Sequence, residues 1–425
     1  MTHWGRSRVR GKAVVATFAL LLPLTLAAPA SAGPEATTNA VVTWDAFAQT
    51  AIWDIAQQQP PQVAGRSFAM VSGAVYDAVN AIAGKPYQPY LVAPRANGTE
   101  SKDAAVGTAA YRVLDSLFPA QEDRLRTQYD EWLAGIPDSQ AKRAGVRIGT
   151  ETAAAMIRAR EDDGAFGDQL WTEGTGPGEW RPTPPDFGNG AGWTIFLKPF
   201  LIPNAAMFRT AGPPALTSRT YARDLNEVKR LGSATSTVRT ADQTESARWW
   251  HDRRSVHWEI KRQLAVTQRL NLLQTARLFA TVDMAGEDAA VACANDKEFW
   301  SFWRPVTAIR LANTDGNPRT TADPNWTPLL VTPPFPDYPS GHSCGTSSRM
   351  ATYQHFFGRD NIPFSAFSVD ANTTRHFDTF TEATAEVIEA RIWGGIHFRT
   401  ADTGGEALGT AVSNYVVTHH FQPRR

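Results

Sequence analysis

Helical periodicity restricts this chain more than any other feature. The stretches TWDAFAQTAIWDIA, VAGRSFAMVSGAVYDAVNAIA, AAVGTAAYRVLDSLF and QAKRAGVRIGTETAAAMIRAR repeat their apolar residues at three- and four-residue spacing, the period of one buried helical face. Runs that alternate every second residue, as half-buried strands do, are few. In the second stretch Ala69, Gly73, Ala74 and Ala78 supply small side chains while Phe68, Val75 and Val79 supply bulk, a pattern that lets helices approach closely. The periodicity returns around residue 217, runs through RLNLLQTARLFATVDMAGEDAAVAC, and covers segments near 341–357, 380–393 and 401–418. The expected fold class is all-α, two helical bundles packed together, the second carrying the chemistry.

Between the bundles the character changes. GTGPGEWRPTPPDFGNGAGW is dense in Gly, Pro and Trp, and an irregular segment this long inside a folded protein is usually functional or mobile. Trp171, Trp180, Phe187 and Trp193 predict that it packs down, either as a rim or cover or as plain filler. The N-terminus carries Arg6, Arg8, Arg10 and Lys12, then the apolar run AVVATFALLLPLTLAA and Ala30, Ser31, Ala32. That is the grammar of a secretory signal peptide cut after Ala32; about sixteen apolar residues interrupted by Pro23 fall short of a membrane span. The expected organisation is therefore a signal peptide over 1–32, a helical region over 33–160, a connecting segment over 161–214 and a C-terminal bundle over 215–425, in a secreted protein without stable membrane insertion.

The 42 basic and 42 acidic residues balance. Loss of the leader removes four positive charges and no negative ones, leaving minus four and no footprint for nucleic acid. A positive site must then be local. Cys293 and Cys344 are the only cysteines, too few for a disulfide framework or a zinc site; the two could pair in an oxidising compartment or stay buried thiols.

Three distant stretches supply such a site. In KEFWSFWRP, Lys297 and Arg304 stand seven residues apart among Phe299, Trp300, Phe302 and Trp303, with Pro305 marking Arg304 as a helix exit, so both can point into an apolar-walled pocket. In PPFPDYPSGHSCG, prolines 333, 334, 336 and 339 fix the approach of the chain and Ser340 falls at an N-cap position, which frees the amides of Gly341 and His342 as anion donors. In RIWGGIHFR, Gly394 and Gly395 separate Arg391 from His397, and a break there swings both into one cavity. Three cations, a hydroxyl, backbone amides and two histidines suit a tetrahedral oxyanion such as phosphate. One histidine is left for ligation or attack and the other for proton transfer.

Lys297 with Arg304 and Pro305, then Pro339, Ser340, Gly341 and His342, then Arg391 with His397, resemble the three-part signature of the vanadium-dependent haloperoxidase and type 2 phosphatidic acid phosphatase superfamily. FWSFWRPVTAIR, PPFPDYPSGHS, GRSFAMVSGAVYDAVNAI and EWRPTPP are similar to its secreted bacterial haloperoxidase branch, over most of the mature chain. The resemblance implies vanadate as cofactor, held by Lys297, Arg304, Ser340, Gly341 and Arg391, with His397 ligating the metal and His342 as acid and base. Lys297 would polarise bound peroxide. Phe335 would line an apolar halide pocket. Hydrogen peroxide, halide and a small organic compound would be the partners, with a homodimer open. Two positions depart from the family pattern: Ala401 stands where an imidazole-orienting Asp is frequent, with Asp402 one place later, and Ala294 stands where the fungal type has Trp. The same resemblance leaves a secreted acid phosphatase working through phosphohistidine at His397, or an inactive oxyanion-binding protein, as alternatives.

Overall fold

The computed structural model describes residues 39–57, 61–252 and 256–424; the expected signal peptide lies outside them. Residues Thr38–Arg425 form one unit, built from α1 (Ala40–Gln49, continued by a π-helical stretch Thr50–Ile55), α2 (Pro61–Ile82), α3 (Lys102–Leu117), α4 (Glu122–Ala134), α5 (Gln140–Ala159), α6 (Arg219–Leu231), α7 (Ala241–Trp249), α8 (Val256–Thr267), α9 (Leu272–Trp300), α10 (Pro305–Arg310), α11 (Gly341–Phe357), α12 (Phe380–Trp393) and α13 (Arg399–His419). The only sheet among the described residues is an antiparallel hairpin, β1 (Phe364–Ser368) with β2 (Thr373–Phe377), in which Phe364 faces Phe377. The all-α expectation holds, and the hairpin is an addition to it.

Two helices are buried nearly all round and make the axis of the molecule. Residues 63–82 of α2 are buried without a break, the signature of a helix with no solvent face. The other, α9, starts at a capping box formed by Asn271 and Gln274 and ends at Ser301, whose φ of 39° turns the chain. Its 29 residues extend about 43 Å, and one continuous core joins it to α2, α3, α11 and α13.

Carboxylates on these central helices order the irregular chain around them. Asp77 accepts the amides of Tyr90, Leu91 and Val92 at 2.7–2.9 Å, and Asp288 accepts those of Phe200, Leu201 and Ile202 at 2.6–2.8 Å. Backbone donors that lack a regular partner are thereby satisfied inside the protein. The 161–214 segment is accordingly packed down. Trp171, Trp180 and Trp193 are buried as expected, but Phe187 is 63 % exposed, because it sits at a turn with φ 50° that directs it outward.

The site depends on how α13 meets α11. A Cβ on Gly405 would lie 2.5 Å from the Ser340 carbonyl oxygen, and one on Gly409 would collide with that of Cys344. Both glycines let α13 rest directly on the first turn of α11.

Candidate oxyanion site

The three stretches singled out in the sequence do converge. Lys297, in the last turn of α9, is 1 % exposed. Its ammonium donates to the carbonyls of Pro336 (2.8 Å), Asp337 (2.9 Å) and Pro339 (2.5 Å), and burial lowers its pKa to about 8. All three donors of the ammonium thus clamp the proline-rich loop. Lys297 gives a guest its charge directly, and a hydrogen bond only by exchanging one of these.

Arg304 occupies the N-cap position of α10, as Pro305 foretold. Its Nε donates to Phe335 (2.8 Å) and its Nη1 to Ile396 (2.8 Å), with Nη1 also 3.1 Å from His397 Nε2. Nη2 is buried with no hydrogen-bond partner among the described residues. A buried guanidinium nitrogen left this way costs free energy unless a guest accepts from it.

Ser340 stands at the N-cap position of α11, yet its side chain does not cap the helix. Its amide donates to the Ala401 carbonyl at 2.8 Å and its hydroxyl faces Asp402, which also accepts from Ser343 at 2.9 Å. The first amides of α11 are therefore left to a ligand, at the end where the helix dipole favours negative charge. Gly341 and His342 are half-buried and line the cavity there.

The α12–α13 step carries the third piece. Arg391 lies in the last turn of α12, fully buried, and Gly395 at φ 77° breaks the helix so that His397 turns back toward the cations. His397 Nδ1 is 2.8 Å from Asp337 Oδ1. Burial, followed by the charges of Arg304, Lys297 and Arg391, holds its pKa well below the ordinary histidine value. The imidazole is neutral. A carboxylate beside Nδ1 favours the tautomer with the proton there and a lone pair on Nε2, the form in which histidine binds a metal or attacks an electrophile.

Sequence reasoning missed the role of Asp337. It expected an imidazole-orienting carboxylate near residue 401, found Ala401, and left Asp402 without a task. In the fold Asp402 attends the serines of α11, and the carboxylate against His397 comes from inside the PPFPDYPSGHS stretch. Burial raises Asp337 to about 7, against the pull of Arg304 and Lys297. The available signal was a charged residue set among prolines between two cationic motifs, where a histidine needs an acceptor. The absence of Trp at Ala294 is also compensated. Trp171 and Trp180 pack with Ala294, and Trp171 lies 6.1 Å from the ring of Phe335. Phe335 in turn lies 5.3 Å from Lys297 Nζ and 5.1 Å from Arg304 Cζ. Cys293 and Cys344 are buried free thiols beside the cradle, Cys293 facing the Pro339 carbonyl at 3.5 Å.

Buried cations converging on an open helix N-terminus beside a neutral histidine define an oxyanion-handling helical protein. Residues 277–424 match the family described as the VCPO second helical-bundle domain. The chain is 23 % identical over 414 residues to vanadium chloroperoxidase of Curvularia inaequalis, covering 72 % of this chain and 67 % of that protein. Its fold is similar to that of the first bacterial vanadium-dependent iodoperoxidase, with TM-score 0.75, 24 % identity and coverage of 91 % and 97 % of the two chains. It also resembles a bacterial vanadium-dependent chloroperoxidase in its holo form, with TM-score 0.66, 18 % identity and coverage of 87 % and 94 %. Residues 277–424 thus carry the helical-bundle domain of that family, and the chain as a whole shares the fold of these vanadium-dependent peroxidases.

Proposed function

We propose that this protein is a secreted vanadate-dependent haloperoxidase, using hydrogen peroxide to oxidise halide to a hypohalous species that halogenates small organic compounds. The observation that carries the reading is the neutral imidazole of His397 beside three buried cations. Arg304 Nη2 and the first amides of α11 offer directed donors to a multiply charged oxyanion, and His397 offers a lone pair that a metal-centred guest can take up. When bound, vanadate supplies a Lewis acid that activates peroxide toward halide.

The chain's own residues do the rest. Arg304, Arg391 and the Gly341 amide hold negative oxygen, while Lys297 keeps the proline-rich loop in register and adds charge. Asp337 fixes the tautomer of His397. At the cavity wall, His342 would take up and return a proton as acid and base. Phe335, covered by Trp171, offers a halide an apolar face flanked by two cations. No helix among the described residues is long and apolar enough to cross a membrane, and the leader grammar supports export with a mature N-terminus at residue 33. Pairing of helical faces into a homodimer is compatible with this reading.

The same donors suit phosphate, so the deciding experiment runs both chemistries on one preparation. Peroxide-dependent iodide or bromide oxidation that requires added vanadate is the expected result. Turnover of a phosphomonoester without vanadate, and no halide oxidation with it, would make the protein a phosphatase instead. Phosphate binding with neither activity would leave an inactive oxyanion binder.

A further inference from the structure

The cavity does not stop at the cradle. It has a volume of about 80 Å³ and continues between α9 and α11 to Trp258, Glu287 and Arg349. His342, Gly345, Thr346 and Arg349 all line it and stand at i, i+3, i+4 and i+7 of α11, one face of the helix. Arg349 is therefore about 10 Å along the helix axis from His342.

Arg349 is seated in a place made for it. A Cβ on Gly286 would come within 2.6 Å of its Cζ, and one on Gly345 within 3.0 Å of its Nη1. Trp258 flanks the guanidinium at 5.2 Å, and Nη1 donates to the Gly345 carbonyl at 3.1 Å. The side chain is 7 % exposed, its Nε has no hydrogen-bond partner, and it makes no ion pair among the described residues. Its neighbours contrast with it: Lys261 is paired with Asp45 (2.5 Å) and Asp283 (2.6 Å), and Arg262 with Asp45 (2.8 Å). A buried, unpaired guanidinium is costly unless a ligand supplies the anion.

The groups beside it favour a carboxylate. Glu287 is 1 % exposed, and its Oε1 has no hydrogen-bond partner among the described residues. Burial raises its pKa well above the ordinary range, against the pull of Arg349, which weakens it as a competing charge. His257 is neutral, its pKa lowered to about 3 by burial and then by Arg349, and its Nδ1 also has no partner among the described residues. The walls between this end and the cradle are mainly small or apolar, with Ala290, Gly345 and Trp258 among them.

We propose that the far end of the cavity is a carboxylate subsite, in which Arg349 anchors a flat, electron-rich aromatic acid whose ring extends toward His342. Only the statement that this acid is a substrate rests on the haloperoxidase reading. In that role the ring's π pair bonds the halogen of the hypohalous acid, and the displaced hydroxide takes the ring proton as water, leaving C–X in place of C–H.

Isothermal titration of the mature protein, without vanadate, with 3-(4-hydroxyphenyl)propionate and with its uncharged amide tests the subsite. The acid is expected to bind at least about tenfold tighter than the amide, and Arg349→Gln to bring the acid down to the level of the amide. Equal affinities, no binding of the acid, or displacement of the acid by equimolar iodide would each overturn the proposal. If Arg349→Gln does not fold, the acid-to-amide ratio on the unaltered protein decides alone. Vanadate titration of the same sample keeps the two readings apart: acid binding without vanadate uptake removes the haloperoxidase and spares the subsite, and vanadate uptake without acid binding removes only the subsite.

Discussion

Asp337 decides what His397 can be. A buried imidazole among three cations stays neutral in any case; a carboxylate 2.8 Å from Nδ1 favours the ring orientation and tautomer that place the proton on that nitrogen. Replacing Asp337 by Asn keeps the size and a hydrogen-bonding atom but removes the charge. Vanadate affinity should fall by about 10- to 100-fold, the usual cost of losing a partner of a metal-binding histidine; a titration showing unchanged affinity would make Asp337 incidental. At this scale the sequence was readable for the cations and histidines, because their spacings are local. It was not readable for Asp337 and Asp402, because which carboxylate faces which group depends on how the 336–339 loop and α13 pack, and neighbouring positions on a helix differ by about 100°.

At the scale of elements, helix contacts hold the cradle open. Gly409→Ala would push the α13 backbone against the carbonyl of Cys344, so the first turn of α11 must shift. We expect a loss of roughly 2–3 kcal/mol in unfolding stability together with weakened vanadate binding, measured by denaturant titration and calorimetry. A stability within 0.5 kcal/mol of the parent, roughly the scatter of surface substitutions, would show that the contact yields freely. Asp77, on α2, gives a test by pH. Burial raises its folded pKa from the ordinary 3.8 to about 6, against three amide donors. The folded chain thus holds a proton between those values that the unfolded chain has lost, and its stability falls as pH rises through that window. Compared with Asp77→Asn, the parent should lose roughly 3 kcal/mol between pH 4 and 6 and change little above. A difference independent of pH, followed by chemical denaturation, would contradict the shift.

The main helices were legible in the sequence because their buried faces repeat with a helical period. The hairpin was not: FSAFS and TTRHF are short, and what makes them strands is the pocket of Trp249, Phe377 and Phe380 around Phe364 and Ala366. The polar helix α4 also carried too weak an apolar stripe to stand out, with only Leu125 and Tyr129 buried.

Across the whole molecule, one long helix links the parts. Along α9 lie Asp283 and Glu287 toward the N-terminal helices, Asp288 holding the 200–202 segment, and Lys297 clamping the proline-rich loop. The irregular 161–214 segment reaches the site through Trp171, which closes over Phe335, so its density of Gly, Pro and Trp belongs to a cavity wall. Composition could announce that the segment is unusual but not where it docks, since its anchors are carboxylates roughly 90 residues away in sequence, as Phe200 and Asp288 are.

The central claim is that residues from α9–α10, the start of α11 and the α12–α13 step enclose a single vanadate. Calorimetric titration of the protein with orthovanadate, alone and in excess phosphate, measures this directly. The account predicts one vanadate per chain, weakened competitively by phosphate, and no detectable binding in a folded His397→Ala variant. Binding of equal strength in that variant, or no saturable uptake by the unaltered protein, would contradict it.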